Sequence, residues 1–257
     1  MNRKLSLIVA ALCGYGMVET AQATPCPKLV EFYAGVSGGI EQLSGFHSDS
    51  FAVNAAPEEN RVFADKSSFP SSNKGTVITG MTGILWNIPT LPFYLAPEIY
   101  IGKGDRESTF RVNYVDNFPV PADNRTYSSL LQRKSFYGAL LKAGYKFYQT
   151  YTVYISAGLD VGNFSITRSM TKDVGIPDTN TSTVRTNKSF TGLLWGIGFE
   201  KQMGSFKVSL DFKGVNYGRK NFVDAITTTN GTPGLTTLGY TAKPKIYAGS
   251  IGFAYLF

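Results

Sequence analysis

From Lys28 to the C-terminus, hydrophobicity alternates with period two in eight segments, about 28–45, 77–88, 93–103, 132–148, 151–169, 188–202, 206–220 and 243–257. That spacing puts successive side chains on opposite faces of an extended chain, so it demands strands with one apolar face. In 151–169, Tyr151, Val153, Ile155, Ala157, Leu159 and Val161 share a face opposite Thr152, Tyr154, Ser156, Gly158, Asp160 and Gly162. The later segments repeat the division. Leu193, Trp195, Ile197 and Phe199 oppose Gly192, Gly196, Gly198 and Glu200, and Phe206, Val208, Leu210 and Phe212 oppose Lys207, Ser209, Asp211 and Lys213. The last is cleanest, with Tyr247, Ile251, Phe253, Tyr255 and Phe257 against Ile246, Ala248, Ser250, Gly252, Ala254 and Leu256. Segment 77–88 is ambiguous, because Ile78, Ile84 and Trp86 oppose Val77, Met81 and Leu85.

Connections between segments alternate between long and short, which predicts antiparallel neighbours throughout. The short ones fall at Asn87 to Pro92, Gln149-Thr150 and Met203-Gly204-Ser205. The long ones are expected as four polar loops, about 46–76, 104–131, 170–187 and 221–242, the last turning at Gly231-Thr232-Pro233-Gly234.

The same period serves a soluble barrel with its apolar face inward and a membrane barrel with that face outward. The opposite face decides between them. It is crowded with Gly and Ala and carries charges of both signs, which suits the narrow interior of an eight-stranded barrel rather than a solvated surface. Charged residues make up only 17% of the chain, and no run of 18 apolar residues follows the first dozen positions, so a membrane role falls to strands. The expected lumen charges are Glu31, Glu98, Asp160, Glu200 and Asp211 against Lys142, Lys146, Lys207 and Lys213. Such a near-balanced set suits a charge-paired plug, whereas a ring of one sign would suit an ion-selective pore.

Residues 1–23 read as a signal peptide: Arg3 and Lys4, then the apolar run from Leu5 to Leu12, then Ala21-Gln22-Ala23 as the cleavage site. The mature barrel domain is then 24–257. Cys13 leaves with the leader, and Cys26 alone forms no internal disulfide. Aromatic residues gather toward segment ends. Phe93, Tyr94, Tyr145, Phe147, Tyr148, Tyr151, Phe206, Tyr255 and Phe257 lie near the short turns, and Phe136, Tyr137, Phe164, Phe190 and Tyr217 lie toward the long loops. Two interfacial belts are the expectation.

The terminal octet, Ser250-Ile251-Gly252-Phe253-Ala254-Tyr255-Leu256-Phe257, resembles the C-terminal assembly signal of Gram-negative outer-membrane barrels. With the leader and the long-short connections, the mature chain resembles the eight-stranded barrels of the OmpA membrane-domain and opacity-protein type. The resemblance implies an all-β, up-and-down antiparallel transmembrane barrel in the cell outer membrane. It also implies that the barrel-assembly machinery reads Phe257, supported by Ser250, Gly252 and Tyr255. A closing strand left unpaired in lipid would strand its backbone polar groups, which is a physical reason for such a signal.

Catalytic chemistry has one thin candidate. The sole histidine, His47, precedes Ser48 and Asp49, residue types of a nucleophilic relay, and some barrels resembling this one modify lipid A. Neighbours on a strand alternate faces, so a solvated histidine is the expected reading and the chain is not expected to be an enzyme. One histidine and one mature cysteine supply no zinc cluster, the Gly-rich stretches lie within strands rather than before helices, and no cofactor is expected. The charge of +7 includes a set of basic residues at the long-loop ends: Arg133, Lys134, Arg168, Arg185, Lys188, Arg219, Lys220, Lys243 and Lys245. Phosphates of lipopolysaccharide are the expected partners of this rim, beside outer-membrane lipid; nucleic acid is not, because the cations are dispersed on an exported protein. The expected role is structural or adhesive and antigenic display toward a host or another surface, with a narrow porin-like solute channel and a lipid A-modifying enzyme as the alternatives.

Overall fold

The computed structural model describes residues 29–55, 59–69, 74–88, 91–115, 124–147, 150–173, 180–227 and 235–257. The expected leader, its cleavage site and Cys26 lie outside them. The described chain is all-β: β1 (Val30–Ala55), β2 (Glu59–Phe69), β3 (Lys74–Asn87), β4 (Phe93–Val115), β5 (Asn124–Phe147), β6 (Tyr151–Asp173), β7 (Asn180–Met203), β8 (Phe206–Tyr217), β9 (Lys220–Thr227) and β10 (Leu235–Leu256). Eight of these, β1, β3 to β8 and β10, close into an antiparallel ring, because β10 pairs with β1. The strands β2 and β9 lie outside the ring, on the far parts of β1 and β10.

Once around the ring, the pairing leads from Tyr33 through Gly83, Glu98, Leu140, Gly158, Leu194, Val215 and Ile246 to Leu43, ten residues further along β1. With about 3.3 Å per residue and about 4.8 Å between strands, that stagger tilts the strands about 40° from the barrel axis. On the side of the short connections the chain reverses tightly, for example at Gly204, whose φ of 61° suits a residue without a Cβ.

The outer face near these turns is apolar. Phe32, Val36, Ile40, Ile99, Ile101, Ile155, Leu159, Leu193, Trp195, Ile197 and Phe253 are all exposed. Along β10 and the residue that follows it, this face runs from Tyr247 to Phe257. Ten residue steps at that tilt rise about 25 Å, the height of the hydrocarbon band crossed by outer-membrane barrels. The ambiguous third strand is resolved by its neighbours: Ile78, Ile84 and Trp86 face out, while Val77, Met81 and Leu85 face in.

Above Tyr137 and Tyr247, toward the long connections, the polarity reverses. The outer positions become Lys103, Asp105, Asn163, Ser189, Asn216, Lys243 and Lys245, while the interior holds Leu43, Leu131, Phe164, Ile166 and Phe190, each no more than 2% exposed. The barrel therefore leaves the membrane and continues into water as an ordinary β-structure, with its apolar side chains inside. Phe136, Phe164, Phe190 and Tyr217, expected in an outer belt, belong to this interior; of that group Tyr137 alone faces out. Near the short turns, Tyr94 likewise points inward, and Phe93, Tyr145, Phe206, Tyr255 and Phe257 face out.

The reversal also explains why the strands outrun their expected ends. Ladders continue to Val115 with Asn124 and to Lys172 with Asn180, through segments expected as loops. Beyond Lys74 and Tyr217, the ring strands β3 and β8 stop. Two four-stranded sheets continue upward, β2-β1-β10-β9 and β4-β5-β6-β7.

Candidate functional site

The inward faces carry two charge clusters, one above the other. In the lower one, Lys142 Nζ is 2.7 Å from Glu98 Oε2 and 3.5 Å from Glu200 Oε1, and Lys207 Nζ is 3.2 Å from the same Glu200 oxygen. Tyrosines complete the coordination: Tyr33 donates to Glu98 at 2.8 Å and Tyr94 to Glu200 at 3.1 Å. Asp211 accepts from Tyr154 and, at 3.0 Å, from Ser209, while Lys213 Nζ stands 3.9 Å away. The ammonium of Lys207 lies 4.0 Å from the Tyr33 ring centre and that of Lys142 5.0 Å from the Tyr154 ring centre. Three acids thus share one space with three lysines. Burial of any one charge would be costly without these partners.

The upper cluster centres on Arg133. Its guanidinium donates to Glu41 Oε2 at 2.9 Å and to both oxygens of Asp160 at 3.0 Å. Tyr100, at 2.9 Å, and Tyr217 also donate to Asp160, and the Arg133 guanidinium carbon lies 3.7 Å from the Phe136 ring centre. The planar fork of arginine suits this two-sided grip, which a point-charge ammonium would not reproduce.

Arg133 corrects an expectation, since it is 3% exposed inside the barrel rather than on the rim. Its register shows why. Pairing with β6 shifts between Arg133 and Ser135, so Lys134 is the extra residue of a β-bulge and the inward phase changes there. Glu41 joins the lumen charges beyond the expected set, and its parity with Glu31 and Ser37 on β1 is the signal that marks it. Glu31 and Lys146 stay near the short turns and meet only through Asn87, which accepts from Lys146 at 2.6 Å and reaches Glu31 at 3.5 Å.

The rim residues separate into groups. Arg168 is buried, a second correction to the expected rim, because the reversed polarity above the membrane brings its strand's inner face into the packed interior. Arg185 and Lys188 are exposed near Lys134, Arg219 and Lys220 are exposed at the end of β8, and Lys243 and Lys245 sit half-buried on the outer face of β10. The terminal octet occupies β10 at the closing seam. Ser250 and Gly252 point inward, the Tyr255 ring packs 5.3 Å from Phe206 and 5.1 Å from Phe257, and the Phe257 amide donates to the Phe32 carbonyl at 2.9 Å.

No set of three His, Cys, Asp or Glu side chains suited to a metal ion occurs among the described residues. His47 lies in β1 across from Ala242 and Ser67; the side chains of His47, Ser48 and Asp49 lie outside the described residues.

No family model matches the sequence, and comparison with curated proteins gives no match. Among solved structures, the outer membrane protease OmpT from Escherichia coli shares 12% identity, covering 93% of this chain and 100% of that one, with a TM-score of 0.46. Neisserial surface protein A shares 12% identity over 88% of this chain and 97% of that one, with a TM-score of 0.38. The outer membrane protein OprG from Pseudomonas aeruginosa shares 12% over 88% and 96%, with a TM-score of 0.39. These are distant likenesses, and the barrel reading stands on the strand circuit and the outward apolar band.

Proposed function

We propose that this chain is an integral outer-membrane barrel, exported by its leader, whose lumen is closed by paired charges and whose work is done by four hairpins displayed at the cell surface. The observation carrying this reading is the state of Lys142, 1% exposed at the heart of the barrel with both Glu98 and Glu200 in reach. A conducting pore keeps its charged groups against water. Here Lys142, Lys207 and Arg133 each lie within 3.2 Å of a carboxylate oxygen, and the level above is filled by Leu43, Leu131, Phe164 and Phe190. Function then falls to the hairpins β1-β2, β4-β5, β6-β7 and β9-β10, whose sequences, rich in Ser, Thr, Asn and Asp, suit structural, adhesive or antigenic contact. Biogenesis through the barrel-assembly machinery follows from the terminal octet, and catalysis is not part of the proposal.

The experiment is single-channel recording with the purified chain in planar bilayers. A flat baseline after verified insertion supports the closed lumen. Stable openings with reproducible conductance would favour the solute-channel alternative.

A further inference from the structure

One group of cations faces outward rather than into the lumen. The bulge in β5 puts Lys134 on the outside together with Ser135, and across β6 the residue Arg185 of β7 leans over Ser165, to which its Nε donates at 2.9 Å. Between them lies a cleft of about 470 Å³ whose walls include Lys134, Asn163, Arg185, Asn187 and Ser189. Its floor is a fixed polar row. Asn163 donates to Ser135 at 3.1 Å and accepts from Ser189 at 2.6 Å, so three strands are tied at one level.

Depth distinguishes this cleft from ordinary strand-end charge. Tyr137 and Val161, the outward residues two positions below Ser135 and Asn163, belong to the upper edge of the apolar band. Two residues span about 6.6 Å of strand, so the cleft opens at the height where hydrocarbon gives way to headgroups. Neither Lys134 nor Arg185 makes an ion pair among the described residues, and Asp105 on the adjoining β4 makes none with Lys134. With its Nε anchored, the Arg185 guanidinium presents its terminal nitrogens in a preset fork, the geometry that matches phosphate oxygens.

We infer that this cleft seats a phosphate of a phosphorylated glycolipid in the outer leaflet, with Arg185 and Lys134 gripping the phosphate and the Asn163 row bonding the adjoining sugar. The inference rests on the outer-membrane reading above and specifies one lipid contact of that barrel.

The test titrates the purified barrel in detergent with lipopolysaccharide, with the same lipid after phosphatase treatment, and with inorganic phosphate alone. Saturable binding of intact lipid, weakened about tenfold or more by phosphatase treatment, by Arg185→Ala or by Lys134→Ala, is expected from the loss of a charge-assisted contact. Arg185 is exposed and Lys134 half-buried, and faster gel migration before boiling verifies that each variant has folded. Lys243→Ala with Lys245→Ala, at similar depth on β10, is expected to bind as the parent does. Equal binding of phosphatase-treated lipid, an equal loss from the β10 pair, or saturation by inorganic phosphate at the affinity of the lipid would overturn the inference. Fractionation separates the two levels. A barrel recovered in the outer membrane that ignores lipid phosphate refutes the cleft alone, whereas recovery from another compartment refutes the assignment on which it rests.

Discussion

Tyr154 and Gly198 face each other directly across the β6-β7 ladder, and the tyrosine ring occupies the space that a Cβ on Gly198 would need. The arrangement recurs around the barrel. Tyr33 lies over Gly83, Tyr94 over Gly144, Tyr100 over Gly138, Phe136 over Gly102 and Tyr217 over Gly192, each a cross-strand pair. An eight-stranded lumen has little width, and a ring laid flat on a glycine reaches a carboxylate across the interior without colliding with the opposite wall. Five of these six glycines are therefore the counterparts of tyrosines that hold the charge clusters, and Gly102 seats the Phe136 ring that lies against Arg133.

Gly198→Val forces the Tyr154 ring from its seat and with it the hydrogen bond to Asp211. The expected loss is about 1–3 kcal/mol, the usual cost of overpacking. Urea unfolding in detergent, followed by gel mobility, measures it. Combining Gly198→Val with Tyr154→Ala is expected to cost less than the sum of the two changes, and strict additivity would contradict the pairing.

Replacing Lys142 by Met leaves Glu98 and Glu200 facing each other inside the barrel without their shared cation. The expected destabilisation is about 3–5 kcal/mol, the cost of orphaning buried charge. Adding Glu98→Gln to Lys142→Met is expected to restore part of it. The same urea titration shows the result, and an unchanged midpoint for Lys142→Met would mean that water already reaches these groups.

Phe164 and Tyr137 test the reversal of polarity. Phe164→Ala opens a cavity beside Phe190 and Tyr217, whose ring centres lie 5.1 and 5.2 Å away, and about 3–5 kcal/mol is expected to be lost. Tyr137→Ala, on the lipid face, is expected to cost less, since no packed neighbour is left around a void. Comparable midpoints for the two variants would return Phe164 to an outer belt.

Deleting Phe257 removes the outward terminal ring packed edge-to-face against Tyr255 and the amide that closes onto Phe32. In cells, the fraction of the protein showing faster mobility before boiling is expected to fall several-fold, while the purified chain still refolds in detergent. Equal loss in both settings would point to the stability of the seam rather than its recognition.

The transmembrane section was legible because alternation there coincides with the polarity difference between lipid and lumen. Trp195, Ile197, Phe199 and Phe253 face out and Glu98, Lys142, Glu200 and Asp211 face in, as parity alone assigns them. Above the membrane the period persists while the polarity of the two faces inverts: Phe164, Phe190 and Tyr217 keep the inward parity of Asp160, Gly192 and Asp211, and only their aromatic character near the strand ends suggests an interfacial belt. The same inversion hid the upper strands, where exposed Thr183, Asn187, Ser189 and Asn216 resemble loop composition. Arg133 and Lys134 were obscured by a single inserted residue, because a bulge shifts the phase of everything beyond it while leaving local composition unchanged.

The chain holds two tryptophans, Trp86 and Trp195, 51% and 56% exposed on the outer face. Their fluorescence therefore reports directly on what touches that face, with no substitution required. In bilayers containing lipids brominated along the acyl chain, both are expected to be strongly quenched, with blue-shifted emission and little response to aqueous acrylamide. Efficient acrylamide quenching without any effect of the brominated chains would place these indoles in water and contradict the transmembrane barrel.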